Sequence, residues 1–517
     1  MPVHASVSVL ASVSVGASLL SLVPLAYFIN RRRLILKRKN SASSLSLILG
    51  SVNSAFVDMH ALSSRLPQEE LLRLADVVQG FDVQVLRAAL TSALKAHAES
   101  ETSASSTPPL PASSEVVDPF NLDRKVIDTY RSRALKIISE GRAASILLAG
   151  GQGTRLGANC PKGCLDIGLA SRASLFELHA KRLKRLATIA AQATGKTAEK
   201  GIPWYIMTSE ATHEDTIEHF ENNNYFGLDR NDVYFFPQGM LPAMTKDGVA
   251  VLQGTTRANS LALSPDGNGG IYTALKKHGI LDDMKKRRVV CCDAICVDNV
   301  LARPLDPGFV GCCLARKADM GALAVEKAYA HEKVGVFVKA RGTKCGLAVC
   351  EYSEMPKASS EEKQPDGKLR YRWGNICIHF YTADFLRRMA SPAMNAKMPY
   401  HAAIKVVPTV GGAKVEAVKL ERFIFDAFAF ARNSTLYAAR REESFAPIKN
   451  KAGPGVKDSP ETARALLLGQ HTRWLQRAGA TVLDLGEVEI SPGSTYEGEG
   501  LADVVRGKRV DGGLLSL

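Results

Sequence analysis

LLAGGQGTRLGANCPKG, Leu147 to Gly163, is the stretch from which the fold can be read. It grows out of the apolar run Ser145-Ile146-Leu147-Leu148-Ala149, which meets Gly150-Gly151 as a buried parallel strand meets a tight loop. Gly150, Gly151, Gly153 and Gly157 let the backbone approach a ligand closely and aim N–H groups at phosphate oxygens. Arg155 and Lys162 place two cations where a triphosphate could be neutralised, and Pro161 stiffens the chain just before Lys162. A dinucleotide fingerprint G-x-G-x-x-G would need glycine at 156, where Leu156 stands, and the G-x-x-x-x-G-K-[ST] loop is absent. A plain strand-to-loop turn would account for a lone glycine-rich loop, but this one carries cations as well.

Outward from the loop, strand-like runs recur at 203–208 (PWYIMT), 233–236 (VYFF), 289–297 (VVCCDAICV), 322–327 (ALAVEK), 334–340 (VGVFVKA), 346–352 (GLAVCEY) and 375–381 (NICIHFY). Helical spacing appears between several of them, at 174–192, 213–223 and 271–279. Strands alternating with helices predict an α/β domain over 143–440, with a central Rossmann-like mixed, mostly parallel sheet and flanking helices. Ahead of it, 59–142 predicts a helical region: one run at Leu66 to Leu94, a Ser/Thr/Pro-rich loop at 99–115, and a helix from Arg124 to Glu140 stopped by Gly141. Behind it, 441–517 predicts a helix at 461–480 and then a small, glycine-punctuated β-rich appendage. Trp204, Trp373 and Trp474 are expected to pack rather than to stack on bases.

Composition excludes a disordered chain and a polytopic membrane protein: 46% of the residues are hydrophobic and 23% charged. The net charge is +14, and six of the basic residues fall in the acid-free run at 31–39. That excess suits a polyanionic small substrate as well as nucleic acid. No aromatic-basic motif accompanies it, so nucleic acid is not an expected partner. The ten cysteines form no C-x-x-C pair, and several sit in apolar runs, which reads as reduced core thiols rather than zinc ligands. Residues 5–30 carry no charge but are Ser-rich, and they read equally as a signal anchor and as a disordered leader within 1–58. If they insert, the basic run keeps the catalytic portion on the cytosolic side.

The loop resembles the signature of the sugar-nucleotidyltransferases, L-x-x-G-G-x-G-T-x-L-x-x-x-x-P-K. Leu147, Gly150, Gly151, Gly153, Thr154, Leu156, Pro161 and Lys162 meet all of its fixed positions. AGGQGTRLG, with IMTSE (206–210), FFPQGMLPAM (235–244), SPDGNGGIYTAL (264–275), CVDN (296–299), CEYSE (350–354), GNI (374–376), RFIFDAF (422–428) and PIKN (447–450), is similar to the eukaryotic UDP-N-acetylglucosamine pyrophosphorylases. Matches run from about Leu66 to Ala480. Cys160, Cys164, Pro237 and Cys350 depart from the pattern.

The resemblance implies that UTP and N-acetylglucosamine 1-phosphate give UDP-N-acetylglucosamine and pyrophosphate, with Mg²⁺ or Mn²⁺ as cofactor, in the cytoplasm. Positioning and charge neutralisation do most of the work in such transfers. By the same resemblance, Leu148, Ala149, Gly150, Gly151, Gln238 and Gly267 hold the uridine. Arg155 and Lys162 face the β,γ-phosphates, and Asp298 binds both nucleotide and metal. Asn268, Glu351, Tyr352 and Asn375 contact the sugar, while Lys419 and Lys449 neutralise phosphates; Arg155, Lys162 and Lys449 form the catalytic set. Two rivals remain open: a pyrophosphorylase preferring glucose 1-phosphate or a broad range of sugars, and an inactive nucleotide-sensing relative.

Overall fold

The computed structural model describes residues 55–58, 62, 66–102, 108–197, 199–255, 258–340, 346–409, 412–483 and 486–516. The apolar leader at 5–30 and the basic run at 31–39 lie outside them. Among the described residues no helix is long and apolar enough to cross a membrane.

The centre is a ten-stranded mixed sheet. Its strands are β1 (Val116–Val117), β2 (Ala143–Leu148), β3 (Trp204–Thr208), β4 (Val233–Pro237), β5 (Cys291–Cys296), β6 (Met320–Glu326), β7 (Val336–Lys339), β8 (Leu347–Cys350), β9 (Trp373–Thr382) and β10 (Ser434–Ala439). The main path runs β1-β10-β6-β9-β5-β2-β3-β4, and β7 joins it through β9 and carries β8. β9 is antiparallel to both β6 and β5, while the other pairs along the path are parallel. The helices that matter most here are α1 (Gln68–Gln79), α2 (Val83–Thr102), α3 (Arg124–Ser139), α4 (Leu175–Ala193), α5 (Pro307–Ala315) and α6 (Pro460–Arg477).

Both faces of β2 are covered, which is why its sequence is apolar without alternation. Ala143 and Leu147 pack into the core shared with α3, α4 and α5, whereas Ala144, Ile146 and Leu148 pack into the opposite core with Tyr272, Leu275 and Phe385. Cys291, Cys292, Cys312 and Cys313 are buried as free thiols in these cores. Trp204 is fully buried and Trp474 nearly so.

Three features differ from the sequence reading. The single run from Leu66 to Leu94 is two helices, because Gly80 ends α1 and the Asp82 carboxylate accepts the Gln84 and Val85 amides that open α2. PGFVGCCLA at 307–315, read as no element, is α5; it is buried nearly all round, so it shows no amphipathic period. A hairpin of His401–Pro408 and Lys414–Glu421 also went unread. Its Val418 and Leu420 pack with Leu71, Leu74, Leu86 and Leu90, so α1 and α2 dock on this hairpin.

Segments ahead of residue 143 also build the sheet layer: β1 pairs with β10, and α3 packs along α5. At the other end α6 bridges two cores, with Ala463 and Leu467 facing the sheet and Trp474 and Leu475 facing Val488, Ile490 and Leu501. The appendage holds two short parallel strand pairs and a short helix, Leu501–Val505.

The α3–α5 contact is close enough to test. A Cβ at Gly311 would lie 1.8 Å from the Tyr130 carbonyl oxygen. Gly311→Ala is therefore expected to lower stability by about 1–3 kcal/mol in equilibrium urea melts. Gly469→Ala in α6, where the nearest neighbour is an Arg473 guanidinium nitrogen at 3.6 Å, is expected to raise it by up to about 1 kcal/mol. Equal effects of the two would contradict the packing described.

Candidate functional site

The parallel strands β2, β3, β4 and β5 end level with one another: Leu148 pairs with Met207 and Cys296, and Thr208 pairs with Pro237. Beyond their carboxyl ends lie Gly150 and Gly151, Ser209, Gln238 and Asp298. Open α/β sheets bind ligands in this crevice. A cleft of about 1200 Å³ occupies it, lined by Gly150, Gly151, Thr154, Arg155, Lys162, Ser209, Met240, Pro265, Asp298, Tyr352 and Lys449 among others.

Hydrogen bonds from the Gly153 amide to the Cys160 carbonyl and from the Lys162 amide to the Gly151 carbonyl, at 3.2 and 3.1 Å, close the glycine-rich loop. A Cβ at Gly150 would lie 2.9 Å from Gln238 Nε2, so glycine is what lets the Gln238 amide rest against the loop. Leu148 and Ala149 lie beneath it; the Ala149 N–H is already donated to the Met207 carbonyl at 2.8 Å.

Charge is organised around Lys162. Its ammonium donates to Asp298 Oδ2 at 2.9 Å and to the Ile448 carbonyl at 3.2 Å. Ile448 returns its N–H to the Asp298 carbonyl at 2.9 Å. Behind them, buried Asn299 donates to the Ser444 carbonyl and accepts from Ala446 N–H, both at 2.9 Å. That stitching carries Lys449 to the rim, where its ammonium stands 3.9 Å from the Asp458 carboxylate. Arg155 is exposed and has no ion-pair partner among the described residues.

Around this cluster the remaining expected residues separate. Gly267 takes φ +86° with its Cα against Arg422, where a Cβ would lie 2.3 Å from the Arg422 carbonyl oxygen. Asn268 Oδ1 accepts from Ile424 N–H at 2.9 Å, which commits one end of that amide. Glu351 faces Glu354, His401, Asp426 and Lys449; burial, aided by the Glu354 carboxylate, pushes its carboxyl up to about 7. Burial alone would depress His401, but Asp426 at 2.8 Å more than reverses this and holds it above its ordinary value.

Gln238, Gly267, Asn268, Glu351, Asn375 and Lys419 are not among the residues that line the cleft, and the last two are committed elsewhere. Asn375 Oδ1 accepts from Cys377 N–H at 3.0 Å and from His379 Nε2 at 3.1 Å, shaping the irregular stretch of β9. Lys419 lies on the hairpin opposite Ala403. The sequence reading missed the far wall, which includes Tyr329, His331, Lys333, Arg441 and Lys457. Ser209 and Pro265 fell inside quoted segments, but 328–334 carries no motif that could have announced it.

The family model for UTP–glucose-1-phosphate uridylyltransferase matches residues 88–489. UDP-N-acetylglucosamine diphosphorylase 2 of Arabidopsis thaliana is 44% identical over 383 residues, covering 72% of this chain and 75% of that relative. UDP-N-acetylglucosamine pyrophosphorylase of Saccharomyces cerevisiae is 41% identical, covering 74% and 80%. The crystal structure of the Trypanosoma brucei uridine diphosphate N-acetylglucosamine pyrophosphorylase with an inhibitor superposes with a TM-score of 0.74 at 29% identity, covering 91% of this chain and 94% of that one. The level strand ends, the glycine-rich loop and these relatives agree: the chain belongs to the UTP–glucose-1-phosphate uridylyltransferase family, in its UDP-N-acetylglucosamine pyrophosphorylase branch.

Proposed function

We propose that this chain is a UDP-N-acetylglucosamine pyrophosphorylase, joining UTP and N-acetylglucosamine 1-phosphate to give UDP-N-acetylglucosamine and pyrophosphate. The observation that carries this is the Lys162–Asp298 pair, held at 2.9 Å where the glycine-rich loop meets the end of β5. In this reading Gln238 reads the uracil edge, since an amide both donates and accepts. Arg155 and Lys162 draw the β,γ-phosphates, and Lys449 meets the incoming sugar phosphate. A phosphate oxygen of that sugar attacks the α-phosphorus in line, and pyrophosphate leaves. The attacking group is already an anion, so no general base is needed; the protein orients and neutralises.

Asp298 is the residue we assign to Mg²⁺ or Mn²⁺. What supports it is a cleft-lining carboxylate with Oδ1 unpartnered among the described residues, and the preference of Mg²⁺ for one or two carboxylates plus substrate phosphates. When bound, the ion supplies charge neutralisation at the phosphates. Glu351, Tyr352 and Asn268 are assigned to the sugar, Gly267 to the uridine, and Asn375 and Lys419 to supporting positions of the same two subsites. If residues 5–30 insert in a membrane, the basic run at 31–39 keeps this site on the cytosolic side.

Pyrophosphate release with UTP is expected to be fastest with N-acetylglucosamine 1-phosphate when it is compared with the N-acetylgalactosamine and glucose 1-phosphates. A clear preference for glucose 1-phosphate would overturn the sugar assignment, and no turnover with any of them would favour the sensor reading.

Lys162→Ala and Asp298→Asn are each expected to reduce kcat/KM a hundredfold or more, about 3 kcal/mol of lost stabilisation, at unchanged thermal stability. Near-normal rates in either folded variant would remove its role.

Glu351 gives a pH test with a definite sign. Its carboxyl is protonated below about 7 and ionised above, and only the ionised form accepts from the sugar with both oxygens. KM for the sugar phosphate should therefore fall as pH rises through about 7, while UTP affinity by calorimetry follows the same pH dependence in the wild type and in Glu351→Gln. Glu351→Gln should abolish that fall and leave only the dependence due to substrate ionisation.

A further inference from the structure

Asp266 stands apart from the charge cluster, between the two loops assigned to uracil and sugar. The backbone already ties these loops: Asp266 N–H donates to the Gly239 carbonyl at 3.0 Å, and the Asp266 carbonyl accepts from Arg422 N–H at 2.8 Å. The carboxylate adds a steric key. A Cβ on Gly239 would lie 2.4 Å from Oδ2, and a Cβ on Gly270 would lie 2.1 Å from Oδ1. The side chain thus fills the space left by two glycines, one next to Gln238 and the other closing the turn that holds Gly267 and Asn268.

The electrostatics of this key are unusual. Asp266 Oδ1 is buried with no hydrogen-bond partner, as is the Nε of nearby Arg422. Arg422 is held by other groups, donating to Asn395 Oδ1 at 2.8 Å and lying 4.0 Å over the Tyr400 ring. Burial pushes the Asp266 carboxyl up to about 6, against the opposing pull of Arg422, the backbone amides of Asp266 and Gly239, and Lys277; Tyr400 is the other titratable group facing it.

We propose that Asp266 is a positioning residue that locks the Gln238 loop to the Gly267–Asn268 turn, so that nucleobase and sugar are read at a fixed separation. This rests on the two-substrate reading above. A lock acting on both loops should change both affinities together and leave the chemical step nearly untouched.

The sign of the pH dependence separates this role from a purely structural one. A carboxyl raised above its unfolded value favours the folded chain when protonated, so its share of stability grows as pH falls through about 6. The lock depends on the ionised form, whose charge Arg422 attracts. Affinity for both substrates should therefore weaken as pH falls through about 6, while the fold does not.

The experiment is steady-state kinetics on the full chain and on Asp266→Asn, Asp266→Ala, Gly239→Ala and the Asp266→Ala/Gly239→Ala double variant, each with a thermal melt. Asp266→Asn is expected to raise KM for UTP and for the sugar 1-phosphate about tenfold each, to leave kcat within about threefold, and to flatten the fall in affinity near pH 6. Gly239→Ala, which drives a methyl into the carboxylate, should give the same pattern. In the double variant the methyl occupies the vacated space, so its loss should be smaller than the two single losses combined. If Asp266→Ala does not fold, Asp266→Asn and Gly239→Ala decide the question. KM changes confined to one substrate, wild-type KM values in Asp266→Asn, or a lowered kcat with both KM values intact would overturn the lock. An inactive wild type sinks the transferase reading itself; an active wild type with an unaltered Asp266→Asn sinks only the lock.

Discussion

The ammonium of Lys162 ties together parts of the chain that are far apart in sequence. It spans 136 positions to Asp298 and 286 to Ile448, and each contact fixes a different wall of the cleft. Neither side chain of the pair is well exposed, at 17% for Lys162 and 24% for Asp298. In such a place the attraction between the charges is largely offset by the loss of their hydration. The pair therefore adds little net stability, and its value lies in position: a cation kept at the mouth of a glycine-rich loop, with an equal counter-charge at hand.

The same balance extends over the cleft. Lys449 has Asp458, Arg441 has Glu332, and Lys457 rests over the Tyr329 ring at 4.6 Å. Cations gathered for a polyanion would repel one another without such partners. Each local partner lowers that repulsion. Arg155, exposed on the loop, lines the same cleft without an ion-pair partner among the described residues.

The layers of the fold were legible because strands covered on both faces are mostly apolar, and β2, β3, β5 and β6 are buried along nearly all their length. Elements without such a signature were not. α5 opens with Pro-Gly and contains Cys312-Cys313, a composition that fits a buried coil as well as a helix. The hairpin strand His401–Pro408 is half-buried along much of its length, so it shows neither period. In the site, Gly150, Lys162 and Asp298, each fixed by the backbone turn of a motif, line the cleft. Asn375 and Lys419 carried no such constraint and are not among the lining residues, and neither are Gln238, Gly267, Asn268 and Glu351. Much of the far wall comes from 328–334, whose Tyr, His and Lys look like any solvated surface.

The placement of Ile448 and Asn299 has a consequence for how the protein is made on the ribosome. All four strands whose ends form the crevice, β2 to β5, have emerged once residue 296 is clear, and they are mutually parallel neighbours. Yet β5 has its other neighbour only after β9 arrives, and the Asn299 side-chain amide, bonded locally only to Leu301 N–H, gains its Ser444 and Ala446 bonds last. During the intervening elongation one edge of β5 has no partner strand and the Asn299 amide lacks its two distant bonds. The nascent chain thus carries its phosphate loop early and its finished site last, with an unpaired strand edge to shield in between.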